Sequence, residues 1–147
     1  MSTIPAVKAA LATVIGAAIS GAQVINGPAS SVTTLADRVV EIGNAAGVRE
    51  LDSLTLGTTS ERYMVELTFS ASLSGTDQTA ATALALADYE AAELAIREYS
   101  GGPGLGLSAS GVLQVLPTGE FSLQEQADSN VRNAAVRSSV SVYAQNT

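Results

Sequence analysis

Between residues 62 and 100 the apolar period of the chain changes once, and that change limits what the rest can do. The odd positions Tyr63, Val65, Leu67, Phe69, Ala71 and Leu73 are apolar, while Glu66, Thr68, Ser70 and Ser72 are polar. A period of two marks a strand with one dry and one wet face. Ser74-Gly75-Thr76-Asp77 breaks the alternation, and the spacing then becomes helical until Ser100-Gly101-Gly102. It predicts an apolar stripe of Leu84, Ala87, Ala91, Leu94 and Ala95, with Glu90, Glu93 and Arg97 opposite. A one-sided strand followed by a one-sided helix can bury both faces only by folding together. The remaining segments are expected to complete that two-layer unit.

The flanking segments supply more of the same two elements. Thr3 is placed to cap a helix with Pro5 in its first turn, and Ile4, Val7, Leu11, Val14, Ile15 and Ala18 form its apolar stripe. Its other side, Ala6, Ala9, Thr13, Gly16 and Ala17, is small enough for another backbone to approach. Ser20-Gly21-Ala22 could pass for a cleavage site, but Lys8 is the only basic residue ahead of it. The run also falls short of the ~20 apolar residues of a membrane span, so an internal amphipathic helix is expected. Residues 22–27 read as a short strand closed by Asn26-Gly27-Pro28, and residues 32–35 and 38–43 as extended segments. Residues 44–47 read as a break, and residues 48–56 fit neither period.

Beyond the central helix, 101–106 reads as a connector and 105–116 as a strand interrupted at Ser110-Gly111. Residues 117–120, Pro-Thr-Gly-Glu, are expected to turn the chain so that 121–126 pairs back. A closing strand follows, with Ala134, Val136, Val140, Val142 and Ala144 alternating with Asn133, Arg137, Ser139, Ser141 and Gln145. The expectation is one α+β domain over residues 1–147, a mixed or antiparallel sheet packed by an N-terminal helix and a long central helix.

The chemistry open to such a chain is narrow. It has no Cys and no His, which removes disulfides, Cys/His zinc sites, Cys nucleophiles and His bases together. Fourteen acidic residues against seven basic ones give a formal charge of -7, a surface that repels phosphate backbones. Aromatics make up only 4% of the residues, so the core is expected to be built of small aliphatic groups and to lean on neighbouring subunits. Gly104-Leu-Gly106-Leu-Ser-Ala109 imitates a dinucleotide fingerprint, but its helix precedes the glycines where a strand should stand. It reads as a plain loop. Asp37, Glu41, Glu50 and Asp52 do not fit a calcium loop, and no Ser sits in a Gly-x-Ser-x-Gly turn.

Glu90 and Glu93 share a helix face, and Glu93 with Arg97 has the acid-first i,i+4 order of a surface pair. Leu86 projects among these residues, so Leu86, Glu90, Glu93 and Arg97 form a candidate subunit interface. Arg132 and Arg137 are isolated cations suited to ion pairing with the excess acid. No catalytic, metal or cofactor residue emerges, and no enzyme activity is expected.

The order and texture of the whole chain resemble the tail terminator, or tail completion, proteins of long-tailed bacteriophages, especially those of actinobacteria. The resemblance is carried by the Ala/Val-rich first helix, the strand Arg38-Val-Val-Glu-Ile-Gly43 and the alternating strand Arg62-Tyr-Met-Val-Glu-Leu-Thr-Phe-Ser70. An acidic helix and closing strands ending in Val140-Ser-Val-Tyr143 complete it. It implies a non-enzymatic virion protein of the tail and neck, assembled in the host cytoplasm. Such a protein forms a ring, usually a hexamer, that caps the tail tube protein, stops its polymerisation and meets the head-tail connector protein. Genomic DNA would pass through an acidic bore without specific binding. No cofactor and no membrane enter this picture. Another neck, head-completion or minor tail protein, or a small exported binding domain, remain the other readings.

Overall fold

The computed structural model describes residues 2–28, 36–53 and 57–146. The chain runs α1 (Ile4–Ala18), β1 (Gln23–Asn26), β2 (Arg38–Ser53), β3 (Thr58–Ser74), α2 (Gln78–Arg97), β4 (Val112–Asp128) and β5 (Val131–Asn146). The strands form one sheet in the order β1-β2-β3-β5-β4, with β1 parallel to β2 and every other pair antiparallel. Both helices lie on one face of it, giving the expected α+β architecture with a mixed sheet.

The alternation read from the sequence is what selects that face. Tyr63, Val65, Leu67, Phe69 and Ala71 of β3 are buried, as are Ala134, Val136, Val140, Val142 and Ala144 of β5. These strands are partners in register, Val65 beside Val140 and Phe69 beside Val136, so their dry residues make one surface. From α1 this surface receives Val7, Leu11, Val14 and Ile15, so the first helix supplies part of the core. The expected 32–35 segment and Leu54 and Leu56 lie outside the described residues.

Five expectations are corrected. The buried stripe of α2 is Ala81, Ala85, Asp88, Tyr89, Ala92 and Ile96, one position on from that predicted, while Ala87 and Leu94 are exposed. One position turns a helix by about 100°. Apolar counting missed it because the two anchoring residues are polar: Asp88 meets Arg38, and Tyr89 lies edge-on to Phe69 at 5.8 Å between ring centres.

The break expected at 44–47 is a bulge inside β2, where the register slips between Ile42 and Ala45. Gly47 is required here. A Cβ at this position would stand 2.0 Å from the Arg62 carbonyl oxygen and 2.4 Å from the Tyr63 Cα.

The turn expected at 117–120 is likewise a bulge, and β4 runs straight through it from Val112 to Asp128. Pro117 is tolerated because β4 is an edge strand, where a missing N–H breaks no second ladder. Residues 105–111, read as strand, are instead loop with a 3-10 turn at Ser108–Ser110.

Thr3 makes no side-chain cap. The first helix is capped from β3: Glu61 Oε1 accepts from the Thr3 N–H at 3.0 Å, and its Oε2 accepts from the Ser2 hydroxyl at 2.8 Å. A carboxylate is favoured there by the orphan amides and the positive end of the helix dipole. The Thr3 hydroxyl lies 2.9 Å from that of Tyr63, whose own ionisation is pushed up chiefly by burial.

Candidate assembly surface

With both helices on one side, the other side of the sheet carries no element among the described residues. Its side chains are those between the buried ones, and register arranges them in rows across four strands. One row is Ala46, Met64, Ser141 and Leu116; the next is Val48, Arg62, Tyr143 and Gln114. Met64 and Val48, in adjacent rows of this open face, are 52% and 61% exposed. The Arg62 guanidinium lies 5.0 Å from the centre of the Tyr143 ring, a cation on an aromatic face.

The β2 and β4 bulges flank the same level of the sheet, at Glu66 and Ser139. Bulges bend the strands that carry them, and a groove of about 620 Å³ crosses the open face here. Glu41, Glu66 and Glu120 line it with Arg137, which makes no ion pair among the described residues. The pairing expected of Arg137, within a subunit or between subunits, is not made within the described residues of this one. Arg132 is likewise engaged differently, donating to the Asp128 and Val131 carbonyls at 2.6 and 3.0 Å.

Two stretches of strand edge are also open among the described residues. β1 covers β2 only from Val39 to Ile42, so β2 beyond that has β3 alone as neighbour. At the far side, the Pro103 carbonyl accepts from the Val115 N–H at 2.7 Å and shields the start of β4. Every residue from Glu120 to Asp128 is exposed.

The candidate interface on α2 is only partly assembled. Glu93 joins Arg97 at 3.3 Å and accepts from the Tyr89 hydroxyl at 2.6 Å, so this carboxylate serves the helix and its core contact. That bond and burial push the Tyr89 ionisation up, burial being the larger cause. Glu90 is exposed. Leu86 is half-buried against the core and faces a shallow depression with Gln78, Thr82 and Glu125. One side of it packs on the core and the other stays open to the surface.

Sequence reasoning missed the strongest polar contact. Asp88, 3% exposed, receives a two-pronged bond from Arg38, whose Nε lies 3.1 Å from Oδ2 while Nη2 contacts Oδ1. The same guanidinium donates to the Ser20 carbonyl at 3.2 Å, tying β2, α2 and the end of α1. The signal available was an acid inside an otherwise small-residue stripe. Buried acids of this kind are structural here: Asp88 and Glu61 are the only charged residues in the core among those described, and each has partners. Among the described residues no group of His, Cys, Asp or Glu could hold a metal ion.

No protein-family model matches the chain, and no curated protein does. Among solved structures it matches a chain of the "Virion of native gene transfer agent (GTA) particle", with 16% identity and a TM-score of 0.45. The match covers 90% of this chain and 84% of the other. At that level of likeness it carries no functional weight.

Proposed function

We propose that the chain is a structural protein of a long-tailed phage particle, a tail terminator that closes into a ring on the end of the tail tube. The observation that carries this reading is the open side of the sheet together with its two uncovered edges. A chain that leaves Met64, Val48, Phe121 and Leu51 between 52% and 61% exposed buries them by association more readily than alone. The order of helices and strands, with the long alternating strand at its centre, agrees with the resemblance described above. The formal charge of -7 suits a bore through which DNA passes without adhering. In this reading Leu86, Glu90, Glu93 and Arg97 belong to the rim between subunits, the tube protein and the head-tail connector protein meet opposite faces of the ring, and catalysis plays no part.

The test is assembly on purified tails. Added protein is expected to sediment as a closed ring, to bind the open end of tail tubes and to stop their elongation. Protein that stays monomeric at high concentration and ignores tube ends removes the reading. Copurification with tailless heads in place of headless tails would move it to a neighbouring neck protein.

A further inference from the structure

We infer that the two uncovered edges of the sheet pair with each other between copies, β2 of one subunit against β4 of the next. The inference deepens the ring reading and depends on it only for closure. Its starting point is that the open segments lie at opposite borders of one sheet. A contact between unlike patches on identical subunits is heterologous, and such contacts make rings or filaments instead of two-fold dimers.

Direction is the first check. From β2 to β3 to β5 to β4 the chain reverses three times, so β4 runs opposite to β2. Rotation about a ring axis preserves the axial sense of a strand, so the next copy's β2 arrives antiparallel to β4, the better-bonded arrangement.

Face is the second. Leu51 and Arg49 stand opposite Thr59 and Glu61, on the helix-bearing side shared with Tyr63. Phe121, Leu123 and Glu125 stand opposite Ser138, Val136 and Ala134, on that same side. The exposed leucines of the two edges, 53% and 36% accessible, can therefore meet without either sheet turning over.

Apolar and charge matching together select the register. Antiparallel alignment of Leu51 with Leu123 places Arg49 beside Glu125, Glu50 beside Gln124 and Val48 beside Gln126. No like charges oppose in that frame, whereas sliding by four residues sets Glu50 against Glu120. Arg49 makes no ion pair among the described residues, so it is available for Glu125. Within one subunit Arg49 is level with Ala144 and Glu125 with Ala134, so successive copies step ten residues along the strands, roughly 33 Å. A stagger of this kind slants the strands steeply to the ring axis.

The absence of Cys makes the pairing directly testable. The full chain carrying Leu51→Cys and Leu123→Cys, gently oxidised and run without reductant, is expected to give a ladder of covalent oligomers ending at one ring-sized species. Either cysteine alone should leave monomer. Separately, Arg49→Glu or Glu125→Arg should each weaken assembly at least tenfold while the melting temperature of the subunit holds, and the double exchange should restore it. A particle of ring mass with no ladder overturns this pairing and leaves the terminator reading standing. A ladder in protein that ignores tail tubes does the reverse. Monomer throughout, or single-cysteine dimers as abundant as the ladder, overturns the pairing.

Discussion

β3 and β4 are both 17 residues long and lie one strand apart in the same sheet, yet they live differently. β3 alternates buried and exposed along most of its length, because it has strands on both sides and helices over one face. β4 buries Val112 and Val115 and nothing after them, because it has one neighbouring strand and α2 meets its far half only at the margin, Tyr89 lying 5.4 Å from the Phe121 ring centre. Strand formation here does not require burial. It requires a partner ladder, and β5 supplies that along nearly the whole of β4. What burial adds is intolerance to change.

The sharpest way to break this contrast is to remove one ring from each strand. Phe69→Ala in β3 should cost about 3–5 kcal/mol, measured by denaturant unfolding, since Phe69 is 1% exposed and packs on Tyr89. Phe121→Ala in β4 should cost about 1–2 kcal/mol, because that ring is already 56% exposed and loses a ring contact with Tyr89 at 5.4 Å. Equal losses would mean that the far half of β4 contributes to the core no less than β3 does. Next in size, Asp88→Ala should cost about 3 kcal/mol by leaving the Arg38 guanidinium without its carboxylate in a mostly covered site. A double variant with Arg38→Met should recover part of that loss; if it recovers none, Asp88 acts by packing alone. Gly47→Ala should follow at about 2 kcal/mol, because its Cβ would meet β3 backbone that cannot move aside.

The smallest effect lies in alkaline solution. The Tyr63 and Tyr89 hydroxyls both ionise above the ordinary value of 10.0. A raised value means that the folded chain holds these protons longer than the unfolded one. The resulting stability is complete below pH 10 and is lost as pH climbs from there through the folded-state values. Melting temperature measured across that window should fall, and Tyr63→Phe should flatten the fall. An unchanged slope would show that this phenol is not sealed under the N-terminus of α1.

The contrast between the two strands also explains what could be read in advance. β3, β5 and α1 were legible because their apolar periods are enforced by a core on one side. The face of α2 was not, because an acid and a tyrosine, Asp88 and Tyr89, hold its position, and hydropathy counts both as surface. The continuity of β2 and β4 was hidden by residues that ordinarily end strands. Asn44 and Gly119 sit in bulges and Pro117 borders one, and the extra residues there, one in β2 and two in β4, absorb what would otherwise be a turn. The uncovered edges had no signature in the sequence at all, since exposure of a strand border depends on which strand is its neighbour, and only the fold decides that.

The cap that Glu61 places on α1 has a consequence for the order of events during synthesis. Thr3 and its acceptor are 58 residues apart. The leading helix emerges from the ribosome long before the carboxylate that completes it, so its amino-terminal turn must wait, frayed or hydrated, while β1 and β2 are made. Docking of β3 then arrests that first turn, so a segment made before β1 and β2 settles only after both of them have been made.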